Sequence, residues 1–245
     1  MSRARIAVLY APGTNCHEET VAAIECGGGQ GNVVLLHDLV TGREKLLDYQ
    51  AAVIPGGFSY GDHLGAGRVF AAMLNARIGD QLQAFLSSQR PLLGICNGYQ
   101  VLTEAGVLPA RAPGERRMAL VENQSAHFEN RTVRLVVEDS DSLWTRGLQG
   151  EVLQMPSAHG EGRPLLSALT DPKALRIAFR YAGQDGTPTE NYPENPSGAP
   201  HGAAGMLDQT GFILGLMPHP ERAALPTHTW RDGLKLFHNL ARYLG

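Results

Sequence analysis

The chain reads as an α/β protein built on a mostly parallel, mixed sheet with helices on both faces, and three observations say so. Short apolar runs at residues 5–10, 51–54 and 91–96 alternate with segments of helical character. Runs apolar at every position suit strands buried on both faces, as in a parallel sheet covered by helices. Each run also ends in a turn-rich or glycine-rich loop, and in such sheets ligands bind beyond the carboxyl ends of the strands.

Taken in order, residues 5–10 are the first strand and Ala11-Pro12-Gly13-Thr14-Asn15 its exit loop. Residues 17–26 follow as a helix, with Glu18 and Glu19 in the first turn and Gly27-Gly28-Gly29 to stop it. Residues 33–36 are expected as the second strand, 43–49 as a short helix and 51–54 as the third strand. A helix over residues 70–88, broken near Gly79, leads to the fourth strand at 91–96, and residues 97–104 form the next helix. The pattern changes after Pro113. Residues 118–128 and 132–138 read as strands paired antiparallel, followed by strands at 151–156 and 176–181. Residues 183–205, rich in Gly, Pro and Asn, are expected to form one long loop. Residues 211–217 are a further strand, and 230–244 a closing amphipathic helix with Leu234, Phe237, Leu240 and Leu244 on one stripe. No repeat or linker interrupts the pattern, so residues 1–245 are expected to form a single domain.

Composition narrows the function classes. An apolar fraction of 43% and a charged fraction of 18% suit a soluble chain with a sizeable core. A net charge of −3 gives no electrostatic reason to expect nucleic acid or an anionic membrane as partner. No apolar run approaches the roughly 18 residues that span a bilayer. The odd count of 3 cysteines makes no disulfide framework, so reduced thiols and a cytoplasmic location are expected.

The most informative stretch is Pro91-Leu92-Leu93-Gly94-Ile95-Cys96-Asn97-Gly98-Tyr99-Gln100. A cysteine at a strand-to-helix junction, with glycines two before and two after, is a nucleophile elbow carrying sulfur in place of oxygen. The turn brings backbones so close that Gly94 and Gly98 must lack side chains. The helix N-terminus beneath the sulfur favours a thiolate and offers N–H donors to an oxyanion. Taken alone, the same cysteine could be a core residue.

A sulfur nucleophile needs a base, and the base needs an orienting group. His219 ends an apolar strand within Met217-Pro218-His219-Pro220-Glu221. In an extended segment residues i and i+2 project to one side, which sets Glu221 beside His219. The prolines bias their neighbours toward that geometry. A third post-strand turn, Pro55-Gly56-Gly57-Phe58-Ser59-Tyr60-Gly61-Asp62, allows close backbone approach, so an N–H of Gly57 or Phe58 could join that of Asn97 in an oxyanion hole. Together these features point to acyl transfer through a thioester. A Cys-His-Glu hydrolase of peptides or esters on a similar sheet stays open at this level.

On these residues the chain resembles the class I glutamine amidotransferases. Gly94-Ile95-Cys96-Asn97-Gly98-Tyr99-Gln100 and Pro218-His219-Pro220-Glu221-Arg222 are similar to that family's signature. The turn from Pro55 to Asp62, the loop Pro12-Gly13-Thr14-Asn15-Cys16 and Ala158-His159-Gly160-Glu161-Gly162 narrow the resemblance to a branch that serves purine biosynthesis. It runs from the first strand to the closing helix. It implies a class I glutamine amidotransferase-like fold and hydrolysis of glutamine to glutamate and ammonia through a Cys96 thioester. It further implies Cys96, His219 and Glu221 as catalytic triad, Gly57 and Asn97 as oxyanion donors, and Gln100 with the loop around His159 and Gly160 as holders of glutamine, beside Phe58. Ammonia would pass to a partner synthetase subunit that amidates formylglycinamide ribonucleotide (FGAR), with room for a small accessory subunit. Residues 187–202 are more similar to the glutaminase domain of long single-chain synthases, whereas Met1 points to a chain made separately.

The remaining candidates are weaker. Cys16 and Cys26 are expected to be structural, His63 to face solvent, and His228 and His238 to lie at the surface or core edge. No Cys/His/Asp cluster has zinc spacing, so no metal is expected. Nothing resembles the Gly-x-x-x-x-Gly-Lys-Ser/Thr phosphate loop, and only three lysines (45, 173 and 235) are present to serve phosphates. No cofactor is therefore expected in this chain, with ATP and magnesium placed on the partner.

Overall fold

The four central residues of β1 (Arg5–Tyr10), Ile6 to Leu9, are apolar without interruption and buried on both faces in the computed structural model, which describes residues 3–138 and 141–245. Helix α1 (His17–Cys26) leads to β2 (Gln30–Leu35), and α2 (Leu36–Thr41) precedes β3 (Ala51–Ile54). Helix α3 (Arg68–Ser87) precedes β4 (Leu92–Ile95), and α4 (Asn97–Glu104) follows it. Then come β5 (Met118–Glu122), β6 (Glu129–Val137), β7 (Val152–His159), β8 (Glu161–Leu166), β9 (Arg176–Ala182), β10 (Ala203–Leu207) and β11 (Ile213–Leu216). Helix α5 (Leu234–Leu244) closes the chain.

Nine of these strands form one mixed sheet in the order β2-β1-β3-β4-β11-β10-β9-β6-β7, while β5 and β8 make a separate antiparallel pair. The five strands from β2 to β11 run parallel. From β11 onward every neighbouring pair is antiparallel. Helix α1 packs on α5, and α3 on α4. The register Ile54↔Gly94 and Leu216↔Ile95 places the ends of β3, β4 and β11 side by side. The residues that follow them therefore leave the sheet at one edge, and that edge carries the site. No helix among the described residues is long and apolar enough to cross a membrane.

Several boundaries differ from the sequence reading. The helix expected at residues 43–49 forms earlier, as α2, because Gly42 takes the left-handed conformation (φ 75°) that ends it; only a 3-10 turn, Leu46–Asp48, remains downstream. The strand expected at 118–128 stops at Glu122. There the buried Asn123 side chain donates to the carbonyls of His127 and His159 and turns the chain. Its product, β5, pairs with β8 and not with β6, whose two edges are taken by β7 and β9. Strand β7 runs on through Pro156 to His159, which a sheet edge tolerates because a missing N–H there costs no central ladder bond. The loop expected at 183–205 ends at Gly202, since residues 203–207 are the buried strand β10. Its sequence, Ala-Ala-Gly-Met-Leu, has no β-branched residue to announce it. The break expected near Gly79 is present at Ile78 (φ −133°).

Candidate active site

The elbow is built by close approach. A Cβ on Gly98 would lie 1.8 Å from the carbonyl oxygen of Ile54, and one on Gly94 would lie 2.6 Å from that of Gly98. Only glycine lets β3, β4 and α4 meet there. Between them Cys96 adopts φ 50°, ψ −106°, a conformation that costs an L-residue on the order of 1–3 kcal/mol. Two backbone bonds hold it in place: the Cys96 N–H donates to Leu216 O at 2.8 Å, and the Gln100 N–H donates to Cys96 O at 3.1 Å. The thiol is 3.4 Å from the Ala158 carbonyl, and Cys96 is buried.

His219 follows the end of β11. Its N–H donates to Pro156 O at 2.7 Å, and it is extended (φ −100°, ψ 92°), as a residue before proline should be. Glu221 does lie beside it, with Oε1 2.5 Å from Nδ1, but through the 3-10 turn Pro220–Ala223 and not through an extended i, i+2 pair. Both side chains are buried. Burial alone would push the imidazole down, but the Glu221 carboxylate, followed by Cys96, holds it well above its ordinary value. The ring is therefore biased to its charged form, with Nδ1 committed to the carboxylate and Nε2 lacking a partner among the described residues.

A cavity of about 270 Å³ opens over these groups and is lined by Gly57, Phe58, Cys96, Gln100, His159, Gly160 and His219, among others. That is near the lower end of small-ligand pockets, roughly 300 Å³ upward. Of the two candidate oxyanion donors in the 55–62 turn, Phe58 is excluded, because its N–H donates to the Gly13 carbonyl at 3.0 Å. Gly57 remains, with Asn97, which as the first residue of α4 has an N–H without an intrahelical acceptor. The Phe58 ring is half exposed and lies 6.4 Å from that of Phe128, both of them on the cavity lining.

Two residues expected near the substrate act as braces. Asn97 accepts from the Ser59 N–H and donates to Asp62 Oδ1 and to Gln100 Oε1, which ties α4 to the turn after β3. Gln100 in turn donates to the Glu161 carbonyl at 2.6 Å, so both ends of its amide are engaged. His159 is buried, with Nδ1 bonded to Asn123 Oδ1 at 2.9 Å and Nε2 without a partner among the described residues. Burial and the nearby charge of His219 press it down to about 4, so it is neutral at pH 7.

Sequence reasoning missed part of the lining: Asn15, Cys16, Asp62, Ala66, Phe128, Glu161 and Arg222. Cys16, expected to be structural, stands at the start of α1 against the His219 ring. The signal was its position in the loop after β1, which leaves the same sheet edge as the others. Cys26 and His238 are exposed, as is His63, and His228 accepts from the Ala224 and Leu225 N–H groups.

Known proteins with these features agree with one another. The model of the CobB/CobQ-like glutamine amidotransferase domain matches residues 3–244. A phosphoribosylformylglycinamidine synthase subunit PurQ from Pyrococcus furiosus is 40% identical over 241 residues, covering 98% of each chain. A PurQ from Dehalococcoides mccartyi is 37% identical, covering 99% of this chain and 98% of its own. A chain in the solved structure of PurLQS from Thermotoga maritima superposes with a TM-score of 0.81 at 32% identity, covering 99% of this chain and all of that one. The chain belongs to the CobB/CobQ-like glutamine amidotransferase family, among relatives that are PurQ subunits of phosphoribosylformylglycinamidine synthase.

Proposed function

We propose that this chain hydrolyses glutamine and hands the ammonia to a PurL-type synthetase, which converts FGAR to formylglycinamidine ribonucleotide (FGAM) with ATP in de novo purine biosynthesis. One observation carries the reading: Cys96 on its strained elbow opens into the same cavity as His219, whose far ring nitrogen is held by Glu221. The family match supplies the substrate class.

In this reading the Cys96 thiolate attacks the side-chain amide carbon of glutamine. The oxyanion that forms is met by the N–H groups of Gly57 and Asn97. His219, kept protonated by Glu221, gives its Nε2 proton to the departing nitrogen, and ammonia leaves a glutamyl thioester on Cys96. Water then attacks the thioester while His219 takes its proton, which releases glutamate and restores the thiolate. Neutral His159 and the Gly160 backbone line the side of the cavity where the rest of the substrate would sit, and the Phe58 ring lies at its rim.

Ammonia set free in bulk water at neutral pH would mostly protonate and lose its nucleophilicity, so delivery calls for a sheltered path into the partner. The PurLQS assembly of Thermotoga maritima supports a synthetase partner of the PurL kind. ATP and magnesium belong on that partner, because this chain carries no phosphate loop. The reading places the protein in the cytoplasm. Incubating the complex with glutamine, quenching with acid and weighing the intact chain should show a glutamyl adduct that maps to Cys96. Glutamate production without any adduct, and undiminished by blocking that thiol, would sink the reading.

A further inference from the structure

Cys16 has no part in the reaction above, yet it is 1% exposed and packed against the residues that carry it. Its backbone is pinned on both sides. The N–H donates to the Gly56 carbonyl at 3.2 Å, and the carbonyl accepts from the Thr20 N–H at 3.1 Å and from Thr20 Oγ1 at 2.6 Å. The S–H donates to Asn15 Oδ1 at 3.2 Å, so the sulfur offers its other neighbours lone pairs only. One neighbour is Arg222, whose Nη2 donates to Sγ at 3.2 Å. The other is the Cε1/Nδ1 edge of His219. A Cβ on Gly56 would stand 2.8 Å from Cε1, 3.4 Å from Nδ1 and 3.1 Å from Cys16 Sγ, so sulfur and ring edge converge on that glycine. One polar atom each of Cys16, His219 and Glu221 lie within 4.8 Å of one another.

Arg222 ties this sulfur to the triad a second time. It directly follows Glu221 in the 3-10 turn Pro220–Ala223, and its N–H donates to the His219 carbonyl at 3.2 Å. Its side chain reaches α1, where Nε donates to Glu19 Oε1 at 2.7 Å. Cys16 and Glu19, at the start of α1, therefore grip the turn that carries the carboxylate. The Arg222–Glu19 pair is partly exposed and worth little alone, whereas water does not compete with the buried sulfur contact. The ring needs such a hold. Its bond to Glu221 fixes one point about which the ring can swing, and a misplacement of about 1 Å at a reacting group can lower the rate roughly a hundredfold.

We propose that Cys16 is a positioning residue for the reaction: its sulfur, backed by Arg222 and Glu19, braces the His219 ring at its Cε1 edge beside the Glu221 contact, and so fixes where Nε2 points. The thiol forms no bond to substrate. Burial raises it above its ordinary value, which keeps it protonated. The titratable groups that face the ring are Glu221, Cys96, Cys16 and His159, with the Arg222 guanidinium behind Cys16. Removing Cys16 leaves the others in place and takes away one contact that favours the charged ring.

The inference rests on the triad reading, so its test includes an arm without turnover. In the resting full chain the His219 ring titration is followed by NMR with labelled histidine, the signal being identified by its loss in His219→Ala. In the assembled synthase, kcat and KM for glutamine are measured against pH. Cys16→Ala should lower kcat by about tenfold to a hundredfold with KM little changed. The ring titration and the alkaline limb of kcat should move together to lower pH. Cys16→Ser, which restores an acceptor to Arg222, should recover most of both. Arg222→Gln added to Cys16→Ala should lower kcat by less than the product of the single losses, as groups acting in one unit do. Cys26→Ala, altering an exposed thiol at the other end of α1, should change nothing. A wild-type kcat and ring titration in Cys16→Ala would overturn the proposal. So would fully multiplicative losses with Arg222→Gln, or a loss that Cys16→Ser does not recover and that falls equally on ammonium-dependent synthesis. The ring titration decides the role of Cys16 even if no glutamyl adduct forms on Cys96, a result that would strike the reaction alone.

Discussion

The two halves of the large sheet serve the cavity in different ways. In the parallel half, β1, β3, β4 and β11 all end at one edge, and each exit loop brings a reactive or donor group: Cys16, Gly57, Cys96 and His219. In the antiparallel half only alternate connections reach that edge, and they bring walls: Phe128 before β6, and the Ala158–Glu161 turn after β7. Parallel strands gather chemistry because their ends coincide, whereas antiparallel strands can shape and close what the others gather. The join is physical as well, since the His219 N–H is anchored on Pro156 of β7 and Gln100 of α4 reaches the Glu161 carbonyl.

Substitutions in the parallel half should therefore strike the chemistry hardest. His219→Ala should lower glutamine-dependent kcat by a factor on the order of 10⁶, measured as glutamate release in the complex. Glu221→Gln should cost less, about 10⁴, because the orienting member of a triad is the most dispensable. Its pH profile carries a sign. The carboxylate raises the His219 titration, so its removal should shift the alkaline limb of kcat to lower pH. An unshifted limb would mean that Glu221 acts only by packing.

Gly98→Ala tests the elbow as architecture. With 1.8 Å between a Cβ and the Ile54 carbonyl, the turn must open, and we expect a stability loss of about 3 kcal/mol or more in urea unfolding. A near-neutral result would show that β3 and α4 can separate without cost.

The wall should respond in stability more than in chemistry. His159 titrates near 4 in the folded chain against about 6.5 when unfolded. Between those values the unfolded chain binds one proton more, so stability falls as pH falls from about 6.5 to about 4. His159→Gln should flatten that slope by up to one proton, read as urea midpoints across the interval. An unchanged slope would mean that the buried ring does not set it.

What the sequence revealed divides along the same line. The parallel half was legible because residues 6–9, 51–54 and 92–95 are apolar at every position and their exits are rich in glycine and proline, signals that survive without tertiary context. Cys96 could be picked out because it stands directly after such a strand, and His219 with Glu221 because they follow another apolar strand in a short proline-spaced run. The antiparallel half was harder to read. β10 has no β-branched residue, β7 contains a proline, and the pairing of β5 with β8 spans a sequence distance that local pattern does not report. The place of Cys16 on the cavity lining was hidden for a related reason: its partners His219 and Arg222 lie some two hundred residues away, so no short spacing links them. The buried Asn123, which turns the chain and holds His159, looked in the sequence like one more polar residue in a strand.

The central claim is that this chain makes ammonia for chemistry completed on another. Cys96→Ala in the assembled synthase tests it most directly, with FGAM formation measured from glutamine and, separately, from an added ammonium salt. The account predicts loss of the glutamine-dependent rate with the ammonium-dependent rate retained. Loss of both together, or survival of the glutamine-dependent rate, would contradict it.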